Sequence, residues 1–139
     1  MKKTLSFFSI LIFLISGCAT SQKQLLVAEE SQVKLRSIQT RSFETADKEK
    51  ILRAVISTLQ DLDFLIDKAD LELGSITGTK FHGIAMLKMT VTVRPKNEKE
   101  MLVRANAQYG LKAVETPEPY QDFFVALEKS IFLAAHQVD

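Results

Sequence analysis

The stretch IAMLKMTVTVRPKNEKEMLVRANAQY, Ile84 to Tyr109, decides the fold. In its first half Ala85, Leu87, Met89, Val91 and Val93 alternate with Met86, Lys88, Thr90 and Thr92. In its second half Met101, Val103, Ala105, Ala107 and Tyr109 alternate with Leu102, Arg104, Asn106 and Gln108. Successive side chains of a strand point to opposite faces, so a period of two marks a half-buried strand. The residues between, PKNEKE from Pro95 to Glu100, form a charged turn, and the pair reads as a hairpin with one apolar and one polar face.

Upstream of the hairpin, FLIDKAD and SITGTKF read as two short strands on either side of a turn at Gly74, with His82 and Gly83 as the next break. Before them, Ile51, Leu52, Val55, Ile56, Leu59 and Leu62 recur at spacings of one, three and four, the pattern of an amphipathic helix laid on a core. Thr45 is the expected cap, with Asp47 and Glu49 in the first turn at the positive end of the helix dipole. LRSIQTRSF, from Leu35, lacks a helical stripe and reads as an outer strand. Downstream, GLKAVETPEP is a loop whose Pro119 suits the start of a helix. That helix sets Tyr120, Phe123, Phe124, Leu127, Ile131, Phe132 and Ala135 on one side.

The order β-α-β-β-β-β-α implies an α+β domain: a mostly antiparallel sheet of four to five strands with two amphipathic helices on one face. Phe43, Phe64, Phe81, Phe123, Phe124 and Phe132 are its expected core anchors.

The first residues have a different character. Lys2 and Lys3 precede an apolar stretch, Leu5 to Ile15, and then the small pair Ser16 and Gly17, which is the layout of a secretory signal. The stretch is well short of the about 20 residues that a membrane-crossing helix needs. Ile15, Ser16, Gly17 and Cys18 match the lipobox of bacterial lipoproteins: an aliphatic residue, a small one, a glycine-sized one, then cysteine. That resemblance implies cleavage between Gly17 and Cys18 and acylation of Cys18 with palmitate-type chains. Each buried CH₂ of such a chain contributes about 0.8 kcal/mol, and two or three chains hold a protein stably on a bilayer.

Residues 1–17 are thus expected to be a cleaved signal, residues 18–34 an acylated cysteine and tether, and residues 35–139 one periplasmic domain. The middle of the tether is compatible with a helix; fully extended, its roughly 15 residues would span about 50 Å at 3.3 Å per residue.

The residues after the signal carry sixteen basic and seventeen acidic side chains, a balance that offers no footprint for nucleic acid. With Cys18 acylated no thiol is left for a disulfide or a thiolate metal site. Asp61, Asp63, Asp67, Asp70 and Glu72 have a D-x-D beginning, but the sixth position of a calcium loop, a glycine there, is Ile66 here. Gly74 to Lys80 is not a phosphate loop, having three residues between its glycines and Phe81 after the lysine. Gly78 instead marks a bulge or a close approach. His82 and His136 adjoin no nucleophile in a recognisable motif, so no catalytic residue, metal or cofactor other than the covalent lipid is expected.

Arg41–Lys80 and Pro119–Ala135, together 57 residues, resemble the core and closing helix of a family of small bacterial lipoproteins without an established activity. Asp63 and Phe64 stand where that pattern has a glycine and an aromatic. The element order is also similar to small α+β domains of lipoproteins in outer-membrane assembly and secretion machinery. Ala19, rather than aspartate, follows Cys18, and the resemblance then implies the inner leaflet of the outer membrane of a Gram-negative cell, facing the periplasm.

Two functions follow as expectations. The first is a non-enzymatic accessory of assembly, secretion or efflux machinery that binds another envelope protein. If LKMTVTV, Leu87 to Val93, or MLVRANA, Met101 to Ala107, lay at a sheet edge the partner could add a strand there, unless Lys88 or Arg104 blocked it. The second is a carrier of a small ligand or lipid in an apolar cleft between helices and sheet, where Met86, Met89 and Met101 would adapt to the cargo.

Overall fold

The computed structural model describes residues 19–136, with side chains from residue 24 onward. Ile15 to Cys18, the expected cleavage and acylation motif, lie outside the described residues. In chain order the elements are α1 (Ala19–Ile38), β1 (Thr40–Phe43), α2 (Lys48–Asp61), β2 (Leu65–Asp70), β3 (Ser75–His82), β4 (Ala85–Pro95), β5 (Met101–Tyr109), β6 (Lys112–Ala113) and α3 (Glu118–His136).

The alternating stretch forms β4 and β5, paired antiparallel with Leu87 opposite Tyr109 and Val93 opposite Val103. Its apolar set, Leu87 to Val93 and Met101 to Ala107 at every second residue, is buried. The sheet is antiparallel at every pairing and open, in the order β1-β5-β4-β3-β2, with β6 beside β5. The fold is α+β. Both α2 and α3 pack on the sheet's apolar face and against each other. From α2 come Ile51, Leu52, Val55 and Leu59; from α3 come Tyr120, Phe123, Phe124 and Leu127. The Phe123 and Phe124 rings meet edge to face at 5.1 Å, and burying each side chain contributes about 1.5–3 kcal/mol.

Three local expectations are corrected. The chain from Leu35 is helical: α1 runs through Ile38, and the outer strand is only Thr40–Phe43. No glycine or proline interrupts Ala19–Ile38, and Leu35 and Ile38, three apart on one helical face, pack against the core. Twenty helical residues rise about 30 Å at 1.5 Å each, so an extended tether overstates the reach of this segment. The chain divides after Lys34, and the unit Leu35–Asp139 contains the sheet and both packed helices.

The α2 cap is Asp47, whose carboxylate accepts from the Lys50 amide at 2.9 Å, while Thr45 Oγ1 accepts from the Asp47 amide. Finally, Phe81 and Phe132 are exposed rather than core anchors, and Phe43 is half-buried. Phe132 lies beyond the last residue of α3 that reaches the sheet, and its ring stacks on His136.

At its other end α2 stops with the Phe64 amide bonded to the Leu59 carbonyl and the Asp63 amide to that of Gln60. This closure needs a left-handed residue, and Asp63 supplies it at φ 65° where glycine is usual. It returns Phe64 over the sheet, 3.2 Å from where a Cβ on Gly78 would stand. Gly78 therefore accommodates a close approach, opposite the bulge between Ile66 and Lys68 of β2.

Candidate functional site

Neither α2 nor α3 packs on the second face of the sheet, and period-two alternation determines what it shows. Reading across the strands, one row is Arg104, Thr92 and Ser75, the next Asn106, Thr90 and Thr77, the next Gln108, Lys88 and Thr79. Thr40 and Ser42 of β1 extend it opposite Arg104 and Leu102, and Arg94 lies opposite Leu102. Thr77 and Thr90 share a hydrogen bond across strands at 3.1 Å, and Thr79 Oγ1 donates to Asp67 Oδ2 at 2.6 Å. Branched hydroxyl residues pack well on a pleated surface, so the ladder is rigid as well as polar.

On this face the carboxylates are confined to the edge strand β2, where Asp67 accepts from Thr79 and Asp70 stands opposite Ser75. Between Gly74 and Asn97, and again between Met101 and Val114, the sequence has no aspartate or glutamate. Lys80, Lys88, Arg94, Arg104 and Lys112 all fall in those runs, while the carboxylates are carried by the helices, β2 and the turns. Among the described residues Lys88, Arg94 and Arg104 take part in no ion pair. A flat, hydroxyl-rich surface with unpaired cations attracts a negatively charged partner and sets its register.

On the helix-covered side a cleft of about 270 Å³ opens between the end of the sheet and the ends of α2 and α3. Leu62, Phe64, Leu87 and Met89 form its floor, and Lys80, His82, Glu118 and Asp122 are at its rim. Lys80 Nζ is held there by the Leu62 carbonyl at 2.9 Å and lies 3.8 Å from Asp63 Oδ2. Wider hollows, about 420 and 560 Å³, lie on the outer surface of the helix pair and are lined mainly by short or charged side chains.

Sequence-derived candidates scatter over this framework. The three methionines are not one group: Met89 and Met101 are buried on the helix side, whereas Met86 projects from the opposite face, paired with Phe81. The acidic series does not share a strand face. Asp61 ends α2, Asp63 holds the left-handed turn, Asp67 sits at the β2 bulge and Asp70 accepts from the Leu73 amide. No three metal-ligating groups converge among the described residues. His82 and His136 are exposed. Strands β4 and β5 are interior, since β3 covers one side of β4 and β1 with β6 the outer side of β5, so neither accepts an added strand.

Two features escaped sequence reading. One is the buried Tyr120 hydroxyl, which donates to the Val114 carbonyl at 2.6 Å and accepts from Gln39 Nε2 and the Ala107 amide. The other is the charge segregation, visible in the sequence as the acid-free runs but meaningful only once those runs are known to be neighbouring strands.

In comparison with known proteins, the chain matches no family model and no curated protein.

Proposed function

We propose that this protein is a lipid-anchored, non-enzymatic accessory of the cell envelope whose domain binds another envelope protein through the open face of its sheet. The observation that supports this most is a hydroxyl-rich face, away from α2 and α3, on which Lys88, Arg94 and Arg104 take part in no ion pair among the described residues. Such a face fits a partner surface carrying carboxylates. Acylation at Cys18, with Ile15, Ser16 and Gly17 as the cleavage motif, puts the domain at the inner leaflet of the outer membrane. Confinement to one membrane raises the effective concentration of a co-resident partner, so a modest interface is enough.

The alternative, a small-ligand or lipid carrier, draws on the cleft at Phe64, Leu87 and Met89. Its volume of about 270 Å³ falls below the roughly 300–1,000 Å³ usual for ligand pockets, and Met86 and Met101 are not part of its lining.

A photo-crosslinking residue at Asn106, exposed on the open face, tests the first reading against one at Ser57, exposed on the outer side of α2. Asn106 is expected to give a discrete protein adduct in intact cells, lost several-fold on Arg104→Glu. Adducts from Ser57 but none from Asn106 would sink it.

A further inference from the structure

At the end of the sheet away from the charged turn, β3 joins β4 and β5 joins β6 through two-residue turns. His82 pairs with Ala85 around Gly83 and Ile84; Tyr109 pairs with Lys112 around Gly110 and Leu111. Gly83 and Gly110 have φ of 61° and 56°, while Ile84 and Leu111 are not left-handed. Glycine first, with positive φ only there, is the type II′ hairpin pattern, whose second position is ordinarily Asn, Asp or Ser. Here both second positions are aliphatic, and both side chains are fully exposed. Nothing in the turn geometry asks for them.

The turns are neighbours, because Leu87 pairs with Tyr109 one strand apart. Phe81, 62% exposed, and Met86, 40% exposed, face each other just behind Ile84. Lys88 and Lys112 flank the group, and no carboxylate occurs in residues 80–88 or 105–114. Glu118 and Asp122 stand on the adjacent cleft rim with Lys80 and His82, and Asp63 lies 3.8 Å from the Lys80 ammonium there. An apolar tip with a cationic collar is the chemistry of a surface that seats in the headgroup region of a bilayer, aliphatic groups at the acyl boundary and lysines on anionic headgroups.

We propose that the two turns form a membrane-docking tip for a bilayer containing anionic phospholipid. This rests on the anchored reading only for a bilayer within reach. The tip would hold the domain on the membrane surface at a second point, independent of the lipid.

The chain has no tryptophan, so Ile84→Trp is a local reporter and Glu98→Trp, in the charged turn at the far end of β4, is its reference. In the full chain reconstituted into phosphatidylethanolamine–phosphatidylglycerol vesicles, Ile84→Trp is expected to shift its emission to the blue. Brominated acyl chains should quench it several-fold more than Glu98→Trp. In a Cys18→Ser background, which removes the acylation site, the difference should persist, and Leu111→Ser should weaken vesicle partitioning about tenfold. Equal quenching at the two positions, or an Ile84 photo-crosslinker that captures protein and not lipid in cells, overturns the proposal. The anchored reading has its own readout, the acyl mass on Cys18, so the two failures are distinguishable.

Discussion

Tyr120 is the residue on which most of the domain's connectivity converges. Its ring is wholly buried beside Phe123 and Phe124, and its hydroxyl serves three partners on three segments: the Val114 carbonyl, the Ala107 amide and Gln39 Nε2. The outer side of β5 explains the arrangement. β1 pairs with Met101–Arg104 and β6 with Gln108–Tyr109, so the backbone between them needs other partners. Gln39 takes the Ala105 amide through its carbonyl, the Val114 amide takes the Ala107 carbonyl, and the Tyr120 hydroxyl takes the Ala107 amide. Tyr120→Phe keeps the ring and strands these groups in a dry environment. Each unsatisfied buried group costs about 1–3 kcal/mol and three lose this partner, the Val114 carbonyl, the Ala107 amide and Gln39 Nε2, so we expect a loss of at least about 3 kcal/mol in urea unfolding with an unchanged slope. A loss below about 0.5 kcal/mol would show that the network contributes little. The helical spacing of Tyr120 made its burial legible in the sequence. Its partners were not, since Gln39 lies 81 residues away.

At the level of elements, legibility follows period. β4 and β5 were readable because their faces differ sharply in polarity, and α2 because its apolar residues share a stripe. The extent of α1 was not, because its apolar residues make no strong stripe: Leu25, Leu26, Val27 and Val33 are all exposed, and among its described side chains Leu35 and Ile38 are the ones that reach the core. Short helical contacts of that kind look like the start of a strand when Thr40 to Phe43 follows directly. The α2 cap was displaced by two residues because Thr45 and Asp47 are both capable acceptors, and Thr45 serves instead to hold the Asp47 amide.

The β4–β5 turn carries a pH dependence of its own. The Asn97 side-chain amide donates to Glu100 Oε2 at 2.7 Å and Lys96 adds a second donor, which together hold the Glu100 carboxyl below its usual value. A depressed pKa in the folded state contributes stability above the unfolded value of 4.5 and loses it as pH falls through the folded one. Amide exchange in Lys96–Glu100 is therefore expected to accelerate upon acidification below that value, relative to the rest of the sheet. Glu100→Gln should abolish that acid-specific increment, and an unchanged increment would assign it elsewhere.

For the whole molecule, near-neutral net charge conceals a division: the central strands are basic, while the helices, the edge strand β2 and the turns hold the carboxylates. Composition could not reveal this, because segregation becomes a surface property only once strand order and face are fixed. The order β1-β5-β4-β3-β2 brings Arg104, Thr92 and Ser75 into one row from three strands, and no local pattern specifies that order. The same order places the Ile84 and Leu111 turns side by side. On the proposed reading, the sheet gives one face to α2 and α3 and the other to a partner, and an attached lipid would restrict its partners to those at the membrane.

That attachment is the claim on which the functional account depends, and intact mass with membrane fractionation tests it most directly. Wild-type protein is expected to begin at Cys18, to carry the mass of two or three acyl chains and to sediment with the outer membrane, while Cys18→Ser does none of these. Soluble wild type without acyl mass, fractionating identically to Cys18→Ser, would contradict the account.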